Sequence, residues 1–179
     1  ENLLLTAAFS SISTTWIVDD LAEIAAGTDI GGRIGRRVFP NNFHIRSTLV
    51  GGQANTVVDD AYNTVRFLVV EASDTLVAGD LAAVTIDTPA IVGVWPKVRR
   101  FLYEKFLTVN TYSLDSVGYI ARALRHDVDF PIGGCLEWDG TAATDHSATS
   151  LFALCISDSG AVTNPGFVAP SFIWFDYTD

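Results

Sequence analysis

The chain has 179 residues, with 11 Lys and Arg against 21 Asp and Glu, a formal net charge of −10 and 49% hydrophobic residues. That length fits a single domain, 1–179, with a core that needs no metal or disulfide staple. The acidic balance excludes a broad phosphate-gripping face, and no run reaches the roughly 18 apolar residues of a membrane span.

In chain order, "LLLTAAFSSIS" (3–13) reads as a first strand. "DDLAEIAAG" (19–27) predicts a short helix, with a capping aspartate, Leu21 and Ile24 as its apolar side, and Gly27 to end it. The stretch 27–52, "GTDIGGRIGRRVFPNNFHIRSTLVGG", holds six glycines and four arginines. Its "GGRIG" matches neither the P-loop pattern nor the dinucleotide fingerprint, and no strand–helix pair brackets it. The segment 37–51 predicts a strand with Phe43, Ile45, Ser47 and Leu49 on one side and His44, Arg46, Thr48 and Val50 on the other. "NTVRFLVVEAS" (63–73) is nearly continuously apolar, as a strand covered on both faces should be. "SDTLVAGDLAAV" (73–84) predicts a helical turn or two, and further strands are expected at 99–112, 117–128, 134–140, 148–158 and 171–178. Eight strands with one or two short helices in loops predict an all-β fold, an eight-stranded jelly-roll β-sandwich.

Apolar surplus without a membrane span points to contact with other copies of the chain. Trp16, Trp95, Tyr103, Phe106, Phe167 and Phe172 are the candidate contact residues, because aromatics are favoured at interface centres. Basic residues cluster as Arg33, Arg36 and Arg37 and as Lys97, Arg99 and Arg100. They predict salt links within or between subunits, with nucleic-acid contact as the second use.

Catalytic signals are weak. "SDSG" (157–160) is a turn and not a nucleophile elbow. His44, His126 and His146 lack metal-ligand spacing. Glu104, Glu137 and Asp139 are the carboxylates a glycosidase would use, although solvated or ion-paired roles suit them better. The doublets Asp19-Asp20 and Asp59-Asp60, with Asp127 and Asp129, offer carboxylate oxygens without any EF-hand spacing. Helix capping suits Asp19 or Asp20 and solvation the rest, so Asp59 and Asp60 alone are kept as candidates for a structural Ca²⁺ at a subunit contact, and no other cofactor is expected. Cys135 and Cys155 are too far apart in sequence for a local redox pair and read as buried free thiols, with a bridge between strands as the alternative.

The order of segments resembles the single jelly-roll capsid proteins of small icosahedral viruses. Within these it resembles the satellite tobacco necrosis virus-like group, which includes capsid proteins of many circular single-stranded DNA viruses. The resemblance runs from about Leu3 to Tyr177. It rests on Gly27-Thr28, Arg33-Ile34-Gly35, Ile45-Arg46, Val65-Arg66 and the closing Phe175-Asp176. It implies a structural subunit of a virion, not an enzyme, that self-assembles with identical copies into an icosahedral (T=1) shell around a viral genome. It also implies that nucleic acid is held mainly by a basic N-terminal arm. The chain starts Glu1-Asn2-Leu3 and has no methionine, so such an arm is expected upstream. The competing readings are a carbohydrate-binding or cytokine-like jelly-roll module, with Trp95 or Trp138 stacking a glycan, and a glycosidase.

Overall fold

The computed structural model describes residues 2–4, 8–24, 26–27, 32–52, 62–73, 75–114, 118–121, 123–142, 144, 149–160 and 164–178. Asp59, Asp60, His146 and Thr28 lie outside them.

The described residues form β1 (Asn2–Leu4), β2 (Ile17–Asp20), β3 (Arg37–Val50), β4 (Tyr62–Ala72), β5 (Val98–Leu114), β6 (Gly118–Ala121), β7 (Ala123–Pro131), β8 (Leu136–Glu137), β9 (Ser150–Ser157) and β10 (Gly166–Thr178). A 3₁₀ turn, Ala78–Leu81, lies between β4 and β5. Two antiparallel sheets result. The first runs β1-β10-β3-β7, with β8 added on β3; the second runs β2-β9-β4-β5, with β6 added on β5. Apart from the neighbours β4 and β5, successive long strands pass back and forth between the two sheets. That order defines the double-sheet jelly roll, an all-β sandwich.

The burial pattern follows the sequence period. In β3, Phe43, Ile45 and Leu49 are fully buried and Ser47 nearly so, while His44, Arg46, Thr48 and Val50 lie on the outer side. Phe43 stacks between Phe130 (5.4 Å) and Phe175 (5.7 Å), tying three strands of the first sheet together. β4 and β9 are buried on both faces. Val65, Phe67 and Val69 with Leu151, Ala153 and Cys155 pack between the sheets. Leu68, Val70 and Ala72 with Phe152, Leu154 and Ile156 pack outside the second sheet. That outer face meets a second apolar cluster built by Trp16, Leu76, Leu81, Val84 and Trp95. The β4–β5 connection thus lies over the sheet as a lid.

Three expectations need correction. The described residues of 19–27 are not a helix: Ile17–Asp20 pairs with β9, and Asp20 Oδ1 accepts from Ala22 N (2.8 Å) and Ser150 Oγ (2.9 Å). A helix this short gains little alone, and the partner strand supplies the hydrogen bonds instead. The stretch 8–13 is not a strand. It enters the core through Phe9 and Ile12, and it is held by single bonds from Ile12 N to Pro165 O (2.7 Å) and from Phe167 N to Phe9 O (2.9 Å). The strand expected at 134–140 shrinks to the two residues of β8. Both cysteines are free thiols, Cys155 buried and Cys135 half-buried.

At Gly166 a Cβ would collide with the backbone carbonyl of Ser10, so the 8–13 stretch reaches β10 only because no side chain is there. Gly166→Ala is expected to destabilise the chain by about 1–3 kcal/mol through overpacking against backbone. The readout is the urea midpoint, with Gly160→Ala, where a Cβ meets nothing within 4 Å, as the control.

Candidate assembly surface

Two buried guanidinium groups set which surfaces are available. Arg66, on β4, is 1% exposed and points out of the second sheet into the lid. Its Nε and one terminal nitrogen donate to Glu104 Oε1 (2.9 and 2.5 Å); the other donates to Ile86 O (2.7 Å) and Thr88 O (2.6 Å). The rings of Trp95 (5.2 Å) and Phe106 (5.1 Å) flank it. A cation removed from water must be paired and hydrogen-bonded, and the lid's carbonyls complete that shell.

Arg33 does the same on the other side of the chain. It is 2% exposed, lies 4.8 Å over the Trp138 ring, and donates to the carbonyls of Ile24 (3.1 Å), Gly35 (2.8 Å) and Gly140 (2.6 Å). Residues 32–36 of the glycine-rich stretch are therefore a connection folded around its own arginine, and Arg33 ties the β2–β3 connection to the β8–β9 connection.

The other predicted basic contacts divide. Arg37 pairs with Glu137, its register partner on β8. Lys97, in the left-handed region at φ 61°, donates to Thr75 O (2.8 Å) and pairs with Asp80 (3.0 Å), closing the neck of the lid. Arg100 pairs with Glu71 (2.8 Å) and donates to Gly133 O (2.6 Å). Arg36 and Arg99 are exposed, with no side-chain partner among the described residues. Four of the six are thus committed within the subunit.

The aromatic candidates are corrected more sharply. Trp16, Trp95 and Phe167 are buried and cannot meet a neighbour in the folded subunit. Trp16 Nε1 donates to Val84 O (2.6 Å) and Trp95 Nε1 to Pro89 O (2.8 Å), so the indoles bind the lid to the sheet. Tyr103 is half-buried and bonded to His126 (2.6 Å), and Phe172 is half-buried on the outer face of the first sheet. Phe106 alone of the six is openly exposed.

The exposed apolar groups lie where the sequence reading did not look. Ile91, Val92 and Val94 are each more than half exposed. They sit on a turn closed by Val94 N to Ile91 O (3.1 Å), with Gly93 at φ 95°. Trp95, at the end of this turn, and Phe106 lie against the same Arg66 guanidinium, which brings the turn and Phe106 to one region. The signal was present in "PAIVGVWP" (89–96), an apolar run held between prolines. Phe39, Tyr62 and Val168 are further exposed apolar side chains.

The carboxylates a glycosidase would use do not converge. Glu104 is bound to Arg66 on the second sheet, Glu137 pairs with Arg37 on β8 beside the first, and Asp139 is exposed. A groove of about 350 Å³ lies between Thr14–Trp16 and the 3₁₀ turn and is lined mainly by Trp16, Ala78, Leu81 and Val84. No group of three or more metal-ligating side chains occurs among the described residues.

Two histidines answer to opposite environments. His44, on the outer face of the first sheet, has its ring pulled upward in pKa by hydrogen bonds to Asp176 and then Asp129. Burial pushes His126 downward, with Lys105 adding to it, and its Nδ1 is buried without a partner. No protein-family model matches the chain, and no curated protein matches its sequence.

Arg66→Met is expected to destabilise the chain by about 3 kcal/mol, because Glu104 and two lid carbonyls lose their partner. Limited proteolysis should then cut within 73–97 before any other described segment. His126 gives a pH effect of defined sign. Its folded form resists the proton that the unfolded imidazole accepts, so stability falls as pH drops below the ordinary value of 6.5. His126→Gln should flatten that acid limb in a series of thermal melts.

Proposed function

We propose that the chain is a structural shell subunit of the jelly-roll capsid type, assembling with copies of itself around a nucleic acid. The single observation that carries the reading is where the apolar surface lies. The lid buries the outer face of the second sheet inside the subunit, yet Ile91, Val92 and Val94 on one of its turns and Phe106 on β5 stay exposed. A monomer gains nothing from three large apolar groups held in water on a turn and a fourth on β5, whereas a neighbour that covers them does. Identical subunits meeting through such patches close into symmetric assemblies when the rotation closes. The strand order supports the same reading. On it, packaging charge comes from a basic segment outside the four committed basic residues.

The glycan-binding alternative draws less support, because Trp95 and Trp138 are buried and offer no stacking platform.

The test is sedimentation of the purified full-length protein. The expected result is a uniform particle far heavier than the 19.3 kDa chain, and Val92→Asp or Val94→Asp should reduce it to small species. Each variant should keep its thermal stability to within about 0.5 kcal/mol, since both sites are exposed. A protein that stays monomeric at every concentration and ionic strength would remove the reading.

A further inference from the structure

On the outer face of the first sheet, five side chains from three strands form one cluster. His44 lies on the middle strand, β3, and its register partners are Asp129 on β7 and Trp174 on β10. Its Nδ1 is 2.7 Å from Asp129 Oδ1, and its Nε2 is 2.9 Å from Asp176 Oδ2. The imidazole stacks on the Trp174 indole at 4.9 Å with 19° between planes. Arg46 binds the other Asp129 oxygen at 2.8 Å and lies 5.8 Å over the same indole.

We infer that His44 is a pH-operated clamp across the first sheet, closed when both ring nitrogens donate to carboxylates on the two flanking strands and released when the ring gives up one proton. The chemistry of the donors requires this. A neutral imidazole carries one N–H, so one of its nitrogens must present a lone pair. An ionised carboxylate only accepts, and Asp129 is held ionised, down to about 2, first by Arg46 and then by His44. Only the doubly protonated ring satisfies both neighbours. That ring is also a cation on an indole face, an attraction that disappears when the ring becomes neutral.

Among the described residues, the charged groups facing His44 are few. β7 contributes Asp129 and Asp127, the latter paired with Arg125 at 2.6 Å. β3 contributes Arg46, whose positive charge acts against protonation but is engaged by Asp129. β10 contributes Asp176. Two carboxylates bonded directly to the ring outweigh one guanidinium already bound to one of them.

The sign follows from linkage. A base that binds its proton more tightly in the folded chain adds stability that is full below the unfolded imidazole's titration and is lost as pH rises through the folded one. The clamp is closed in mildly acid solution and opens toward the alkaline side. The inference concerns the subunit and stands whether or not the chain builds a shell.

Two measurements on the full chain test it. Nitrogen-resolved NMR should find both His44 ring nitrogens protonated at about pH 6.5, with a titration above that of a free imidazole. Asp176→Asn should move that titration downward. Thermal melts of the wild type and His44→Gln, from about pH 6.5 to about pH 8.5, should differ most at the lower end and converge at the upper. Contributions from His126, Tyr103 and Cys155 are common to both proteins. A merely structural His44 would give a constant offset across the window. That constant offset, or a single neutral tautomer at the lower end, overturns the inference. If His44→Gln does not fold, the NMR titration of the wild type decides alone.

Discussion

Arg66 is the constraint on which one whole side of the molecule depends. An arginine cannot shed its proton, so once β4 is buried on both faces the guanidinium must be given acceptors where it stands. Glu104 comes from the adjacent strand, at no extra cost in chain ordering. The carbonyls of Ile86 and Thr88 come from the β4–β5 connection, which must fold down over the sheet to deliver them. Trp16 and Trp95 complete the closure with their own indole bonds to lid carbonyls. A polar group thus decides where the second apolar cluster forms, and the cluster in turn keeps water from the ion pair.

Arg33 repeats the device with carbonyls taking the place of a carboxylate. Main-chain carbonyls from both connections point at one guanidinium stacked on Trp138. The contrast with its neighbours Arg36 and Arg37 is instructive. Three arginines within five residues of sequence have three different fates, one buried, one exposed and one ion-paired, because each position faces a different neighbour. What the two buried arginines leave outside is a surface with a few large apolar groups on it.

The strands were largely legible in the sequence. Alternation in β3 put Phe43, Ile45, Ser47 and Leu49 on one side, which is the buried one, and the nearly continuous apolar run of β4 foretold its double coverage. β2 and the 8–13 stretch were not legible, because their hydrogen-bond partners stand more than a hundred residues away and local propensity says nothing about them. The aromatic candidates failed for a related reason. Tryptophan suits an interface or a core equally well, and only the folded lid distinguishes the two. Buried arginine is the residue type that composition rules least expect. The His44 cluster was invisible, since its carboxylates are 85 and 132 positions away from the ring.

β10, Gly166–Thr178, comes latest among the described strands, yet it does not sit at a margin of its sheet; it lies between β1 and β3 and pairs with both. Until residues 166–178 have been made and have left the ribosomal tunnel, the first sheet is split, with its earliest strand parted from its longest. Cohesion therefore arrives late and all at once. A half-made copy lacks the strand that joins β1 to β3, so the first sheet closes only when this last described strand is laid in.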